Sequence, residues 1–144
     1  MTRILVVEDS SAMRSYVRAV LEDSTHIADP IEVVDACSGF DAMRLLPRGS
    51  YDLVITDINM PDINGLELIK FVRESEHHRD IAVLIISTQA SERDRERGLA
   101  LGADLFLAKP FTPEALRAAV AASLSARGRG QPRGPLAAPS EERR

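Results

Sequence analysis

The chain alternates between short, continuously apolar runs and longer stretches in which apolar residues recur every three or four positions. The continuous runs are Ile4–Val7, Leu53–Ile55, Ile81–Ile86 and Leu105–Ala108. Runs of this kind are typical of strands that are buried on both faces of a parallel sheet. A fifth run, Ile31–Ala36, mixes apolar and polar residues, which indicates a strand at the edge of the sheet.

The stretches between the runs predict helices, because their apolar residues form stripes at helical spacing. Four such stripes are present: Met13, Tyr16, Val17, Val20, Leu21; Phe40, Met43, Leu46; Leu66, Ile69, Val72; and Leu116, Ala119, Val120, Ser123, Leu124. A further helix, predicted over 91–101, is charged on nearly all sides, so we expect it to pack weakly. A strand followed by a helix, five times over, predicts an α/β fold with a doubly wound parallel sheet.

Composition limits the class of protein to a single globular domain. The chain has 144 residues, of which 44% are hydrophobic and 28% charged, enough for one domain with a core. No apolar run approaches the ~18 residues of a membrane span, and the N-terminus lacks the pattern of a signal peptide. Cys37 is the single cysteine, which excludes an intramolecular disulfide, and we expect its side chain to be buried. We also expect the protein to be cytoplasmic and not inserted in a membrane.

Charge divides the chain into an acidic body and a basic tail. Residues 1–126 carry 13 Lys/Arg and 20 Asp/Glu, whereas residues 127–144 carry five and two. The acidic body argues against direct binding of nucleic acid, which depends on neutralising phosphates. The tail is rich in Gly, Pro and Arg and has little to bury, so we predict one domain over 1–126 and a disordered tail over 127–144.

Polar residues gather where the predicted strands end. They are Glu8 and Asp9 after the first strand, Asp57 at the end of the third, Ser87 and Thr88 at the end of the fourth, and Lys109 after the fifth. Open α/β sheets bind their ligands at this carboxyl edge. Each of these residues alone could be an ordinary turn residue, helix-start residue or surface lysine. Because polar residues follow four strands at the same edge of the sheet, a shared functional site is the better explanation.

Three carboxylates in one crevice require a compensating charge. Two of them about 4 Å apart repel by about 4 kcal/mol at an effective dielectric constant near 20. Oxygen ligands without His or Cys favour a hard cation, and Mg²⁺ fits best. With Lys109 and a hydroxyl nearby, such a site suits phosphoryl transfer to a carboxylate nucleophile. Asp57 is the best nucleophile because it is central, which leaves Glu8 and Asp9 to hold the metal.

Four stretches of the chain resemble the receiver domains of two-component response regulators. They are "ILVVEDSSAMR", "DLVITDINMPDINGLEL", "VLIISTQAS" and "GADLFLAKPF". The resemblance covers about residues 3–126, and "EDSSAMR" is most similar to the stand-alone chemotaxis receivers. It implies a flavodoxin-like (βα)5 fold with strand order 2-1-3-4-5. It also implies a phosphorylated signalling protein that is not an enzyme, with a histidine kinase and a downstream protein target as partners.

The resemblance also implies roles for individual residues. Asp57 would accept the phosphoryl group, and Glu8, Asp9 and Asp57 would bind Mg²⁺ together with the backbone carbonyl of Asn59. Lys109 would pair with the phosphoryl oxygens, and its peptide bond to Pro110 is expected to be cis.

A switch and an output surface follow from the same resemblance. Ser87 would supply the hydroxyl that moves to the phosphoryl group, and Phe106 would be the aromatic switch. The fourth helix, fifth strand and fifth helix would form the surface that docks a partner, in the control of chemotaxis or motility.

Three positions depart from the commonest pattern or flank the site. Thr88 stands where the family prefers a very small residue, so we expect it to narrow the entrance to Asp57. Gln89, like Asn59, is expected to tune the lifetime of the phosphoryl group. We expect His77 and His78 to be ordinary surface residues.

Other functions remain open on the sequence alone. A phosphorelay intermediate, or the receiver of a larger regulator, would have the same motifs. A Mg²⁺-dependent aspartyl phosphatase of the haloacid-dehalogenase type is a remote alternative, because that family places its nucleophile after the first strand and a second Asp two residues on. A flavin-binding module fits less well still, since Glu8 and Asp9 occupy its phosphate loop.

Overall fold

A computed structural model describes residues 1–23, 30–88 and 92–127 of the chain. Gln89 and the predicted tail after residue 127 lie outside this range. The elements, in chain order, are β1 Thr2–Val7, α1 Ser11–Glu22, β2 Ile31–Ala36, α2 Gly39–Leu45, β3 Leu53–Asp57, α3 Gly65–Glu74, β4 Ala82–Ser87, α4 Glu92–Leu101, β5 Leu105–Ala108 and α5 Pro113–Ala126.

The five strands form one parallel sheet in the order β2-β1-β3-β4-β5. This confirms the doubly wound α/β prediction and places β2 at an edge, as its mixed composition indicated. Each strand lies within about two residues of its predicted limits. None of the helices in the described ranges is long and apolar enough to cross a membrane.

The core has two layers because residues of the central strands alternate between the two faces of the sheet. On one face Leu5 and Val7 pack with α2 and α3, and on the other Ile4 and Val6 pack with α1 and α5. All of β3 and β4 is buried, which explains why their sequences are apolar runs without alternation. The rigid centre of the sheet therefore holds the ends of β1 and β3 in a fixed relation.

Local signals set where the helices begin at the carboxyl edge. Ser10 accepts a hydrogen bond from the backbone N–H of Met13, and Thr112 does the same for Ala115 ahead of α5. Asn64 caps α3 in a reciprocal capping box with Glu67. These caps fix the loops from which the polar residues project.

Helix α4 is weakly packed, as its charged sequence predicted. Gly98 is its only buried residue, and a methyl group at Gly98 would lie 2.5 Å from Cδ1 of Ile85 in β4. The glycine thus lets the helix approach the sheet. Leu99, on the same helix, is exposed.

Candidate metal centre

Two neighbouring strands bring the three predicted carboxylates together. β1 ends directly before Glu8 and Asp9, and β3 ends at Asp57. Because β1 and β3 pair in parallel with Val7 beside Thr56, their last residues meet at one edge. Carboxylate oxygens of Glu8, Asp9 and Asp57 lie within 4.8 Å of one another. Glu8 and Asp57 are buried and Asp9 is exposed, so the cluster reaches solvent on the side of Asp9.

Lys109 supplies the positive charge of the cluster. Its Nζ lies 2.6 Å from Oε1 of Glu8 and 2.9 Å from Oδ2 of Asp57. The Lys109 side chain is only 8% exposed, so these contacts are shielded from water. The backbone N–H of Lys109 donates to the carbonyl of Ser87, 2.9 Å away. This hydrogen bond keeps the backbone of Lys109 paired with the end of β4. The Lys109–Pro110 peptide bond is cis, as expected.

Burial and the neighbouring charges shift the pKa values of Glu8 and Lys109 in opposite directions. Burial raises the pKa of Glu8 above its usual range, and hydrogen bonds from Lys109 and the Ser10 N–H offset only part of that shift. Burial by itself would lower the pKa of Lys109, but its hydrogen bonds to Glu8 and Asp57 and the negative charges of these two carboxylates together outweigh burial and raise the pKa. Lys109 is therefore held in its charged form.

The donor set fits a small divalent cation. Three carboxylates and one ammonium group leave a formal charge of −2, and all the metal-facing atoms are oxygens, the ligands that Mg²⁺ prefers. Glu8, Asp9 and Asp57 would hold the ion, and the exposed side of Asp9 leaves room for water and an incoming group. When bound, Mg²⁺ would supply Lewis-acid stabilisation of negative charge on a phosphoryl group.

The loop after Asp57 is fixed at both ends. The backbone N–H of Asn59 donates to Oδ1 of Asp57 over 3.2 Å, and the N–H of Gly65 donates to the Ile58 carbonyl over 2.9 Å. Between them, Asp62 accepts hydrogen bonds from the N–H groups of Gly39 and Phe40 at the start of α2. The loop therefore holds the Asp57 carboxylate in one orientation.

Ser87 and Phe106 lie on the β4–β5 side of the site. Ser87 is fully buried and ends β4 one residue beyond Ile86, the register partner of Asp57. Phe106 is half-buried and packs against the core beside Ile85. Thr88 follows at an exposed position.

Arg14 is a site residue that the sequence reasoning missed. From the first turn of α1 its Nη1 donates to the carbonyl of Glu8 over 2.8 Å and approaches that of Asp9 at 3.4 Å. The Ser10 N–H also donates to Oε2 of Glu8, over 3.1 Å. The available signal was an arginine on the next helix, six residues after Glu8 and five after Asp9.

Two sequence expectations away from the site need correction. Cys37 is exposed rather than buried, because it follows the end of the edge strand β2, where no further strand covers it. His78 is 8% exposed and so is not a surface residue, although His77 is. Desolvation, with the neighbouring His77, lowers the pKa of His78.

Comparison with known proteins agrees with this geometry. The family model of the response regulator receiver domain matches residues 4–121. A chemotaxis protein CheY homolog of Campylobacter jejuni is 34% identical over 116 residues, covering 80% of this chain and 86% of that protein. The phosphate regulon transcriptional regulatory protein PhoB of Escherichia coli is 38% identical over 120 residues, covering 83% of this chain and 50% of PhoB.

Solved structures show the same relationship. The structure of Vibrio cholerae chemotaxis protein CheY4 superimposes with a TM-score of 0.78 at 32% identity, covering 85% of this chain and 98% of that one. The chain therefore belongs to the response regulator receiver domain family, and it is similar to the stand-alone chemotaxis receivers within it. Receiver domains are signalling proteins rather than enzymes; they generally bind Mg²⁺ at an acidic pocket and are phosphorylated by histidine kinases.

Proposed function

We propose that this receiver is phosphorylated on Asp57 by a histidine kinase, with Mg²⁺ held by Glu8, Asp9, Asp57 and the backbone carbonyl of Asn59. The observation that carries the proposal is the position of Lys109, whose Nζ lies within 2.9 Å of Oδ2 of Asp57 and 2.6 Å of Oε1 of Glu8. A buried ammonium group beside a carboxylate that faces a metal-fitting cluster is the arrangement that phosphoryl transfer to a carboxylate requires.

The transfer uses the chain's own residues in a simple way. A carboxylate oxygen of Asp57 forms the new P–O bond while the P–N bond of the phosphohistidine donor breaks, and the electron pair returns to the imidazole nitrogen. Lys109 neutralises the charge that accumulates on the phosphoryl oxygens, because its ammonium group already contacts Oδ2 of Asp57. The loop from Asn59 to Gly65 keeps the carboxylate oriented for attack.

Phosphorylation would then change the surface that α4, β5 and α5 form. The Ser87 hydroxyl moves to the phosphoryl group, Phe106 turns inward, and α4 shifts. The weak packing of α4, with Gly98 as its only buried residue, supports a mobile role for this helix. The altered surface docks a protein partner, in the control of chemotaxis or motility, and the similarity to chemotaxis proteins supports that process.

Residues at the rim would set the lifetime of the phosphoryl group. Thr88 is exposed beside Ser87 and would narrow the approach of small donors and of water. Asn59 is exposed two residues after Asp57 and donates its N–H to Oδ1 of Asp57. We include Gln89 with them from the sequence pattern alone. We place the protein in the cytoplasm, with no direct contact to nucleic acid.

The test is intact-mass spectrometry after incubation with acetyl phosphate, with and without Mg²⁺. We expect the wild-type chain to gain one phosphoryl group only with Mg²⁺, and Asp57→Asn to gain none. Asp80→Asn is the matched control, because Asp80 is an exposed aspartate two residues before β4, at the edge of the sheet opposite the cluster, and should leave uptake unchanged. Full labelling of Asp57→Asn would overturn the assignment of the phosphoacceptor.

A phosphorelay intermediate or the receiver of a larger regulator is the second candidate. The chain covers 50% of PhoB and 30% of the cyclic di-GMP phosphodiesterase response regulator RpfG of Xanthomonas campestris, so related receivers work within longer proteins. A phosphorelay intermediate would pass its phosphoryl group on to a histidine of a second protein. Rapid, reversible transfer of the phosphoryl group from the phosphorylated chain to a histidine phosphotransfer domain would favour the phosphorelay role over docking on a partner.

A further inference from the structure

The backbone between Glu8 and Asp9 is held by an arginine that takes no part in the proposed chemistry. Nη1 of Arg14 donates to the Glu8 carbonyl over 2.8 Å and lies 3.4 Å from the Asp9 carbonyl. Arg14 is only partly exposed, and it lies on the first turn of α1, directly behind the acidic pair. The contact joins the start of α1 to the two peptide units that present the carboxylates.

Arg14 completes a set of contacts that immobilise Glu8. The Glu8 N–H donates to the Ala36 carbonyl over 3.0 Å, and its carboxylate accepts from Lys109 and from the Ser10 N–H. The Glu8 carbonyl, in contrast, is held by Arg14. Asp9 is exposed, and Arg14 at its carbonyl adds a second contact to the peptide unit whose Ser10 N–H donates to Glu8.

We propose that Arg14 is a positioning residue for the divalent cation: it sets the β1–α1 turn so that Glu8 and Asp9 point at the ion together with Asp57. The inference rests on the proposed function, because it assumes that this cluster binds Mg²⁺. Groups that orient metal ligands without touching the ion commonly change its affinity about 10- to 100-fold when they are removed.

Charge and geometry make opposite predictions for the loss of Arg14, so the two can be separated. A guanidinium near a cation site repels the ion, and removing it should therefore tighten binding if charge alone matters. If Arg14 instead acts by fixing the turn, its removal should weaken binding, because the carboxylates lose their common orientation. The sign of the change in affinity identifies the role.

The experiment measures binding of Mn²⁺, as a spectroscopic probe for Mg²⁺, by the electron paramagnetic resonance signal of the free ion. The full chain is used as wild type, Arg14→Met, Arg14→Lys and Arg18→Met. Arg18 is the matched control, since it lies one turn further on α1, pairs with Asp35 and Glu22, and does not contact the acidic turn. Urea unfolding of each variant establishes that it is folded under the conditions of the titration.

We expect Arg14→Met to weaken Mn²⁺ binding about tenfold, Arg14→Lys to retain part of the affinity, and Arg18→Met to match the wild type. The Mg²⁺ concentration for half-maximal phosphorylation should rise in parallel, while the rate at saturating Mg²⁺ stays close to that of the wild type. Unchanged or tighter binding in a folded Arg14→Met or Arg14→Lys would overturn the inference. Failure of the wild type to bind Mn²⁺ would instead overturn the proposed function as well.

Discussion

Gly65, the first residue of α3, packs directly against the backbone of Asp57, the last residue of β3. A methyl group on Gly65 would lie 2.3 Å from the carbonyl oxygen of Asp57 and 3.0 Å from Cα of Ile58. The atoms that it would meet belong to the backbone of a buried strand end and cannot move aside. The absence of a side chain at Gly65 therefore allows the loop after Asp57 to close.

We expect Gly65→Ala to destabilise the protein by about 1–3 kcal/mol, the usual cost of inserting a methyl group where no space exists. Urea unfolding at neutral pH measures the change. Gly49→Ala is the matched control: its methyl group would meet the end of the Arg3 side chain, which is partly exposed and can move. Equal destabilisation by both substitutions would contradict the tight packing of Gly65 on Asp57.

Replacement of Lys109 by methionine should destabilise the chain in the absence of a divalent cation. Glu8 and Asp57 would then be buried without their ammonium partner, at a cost of about 3 kcal/mol. Mg²⁺ should stabilise Lys109→Met more than the wild type, because the cation then replaces the missing charge. Thermal unfolding with and without Mg²⁺ measures both effects. An equal stabilisation of the two proteins by Mg²⁺ would contradict the claim that Lys109 and the cation neutralise the same carboxylates.

Arg73 fixes the opposite, amino-terminal edge of the sheet with five hydrogen bonds. Its guanidinium donates to the carbonyls of Gly102, Arg79 and Ile81 and to the carboxylate of Asp104. Burial, with the nearby charge of a second arginine, lowers the pKa of Arg73 to about 10. The group ties α3 to the turn between α4 and β5.

Because a lysine cannot reproduce this planar set of donors, Arg73→Lys should cost about 2–3 kcal/mol in the free energy of unfolding. Denaturant titration gives the value. The same exchange at Arg95, on the exposed side of α4, provides the comparison and should change stability by less than about 0.5 kcal/mol. A loss no larger than that at Arg95 would show that the Arg73 hydrogen bonds contribute little.

Asp62 should make stability depend on pH in the acid range. Hydrogen bonds from the backbone N–H groups of Phe40, Ile63 and Gly39 lower the pKa of Asp62 to about 2 from 3.8. A carboxyl whose pKa is lower in the folded state stabilises the fold above the unfolded value, and this contribution disappears as pH falls through the folded value.

The wild type should therefore exceed Asp62→Asn in stability at neutral pH, and the difference should shrink as pH falls from 3.8 to about 2. The measurement is the urea midpoint of each protein across that range. A difference that does not change with pH would show that the Asp62 charge is not held by those backbone donors.

The sheet could be predicted from the sequence because burial on both faces leaves little freedom in the choice of residues. The runs at Ile4–Val7 and Leu53–Ile55 are apolar without interruption, and the polar residues that end them mark the ligand-binding edge. Since parallel strands end at the same edge, the proximity of Glu8, Asp9 and Asp57 followed from the topology alone.

Contacts that depend on side-chain direction could not be predicted in this way. In the sequence, Arg14 cannot be distinguished from any other charged helix residue, because its contact with the Glu8 carbonyl depends on where α1 starts. Asp104 and Arg127 pair across 23 positions, and both look like surface residues before the fold is known. Cys37 was predicted wrongly as buried because the chain's composition does not show that, among the described residues, the position after β2 stays exposed.

The most direct test of the central claim is to locate the phosphoryl group chemically. Borohydride reduces an aspartyl phosphate to the alcohol, so phosphorylation with Mg²⁺ and acetyl phosphate, reduction, and peptide mass spectrometry identify the modified residue. The account predicts homoserine at Asp57 alone, and only when Mg²⁺ was present during phosphorylation. Homoserine at Asp9 or at any residue other than Asp57, or at Asp57 without Mg²⁺, would contradict it.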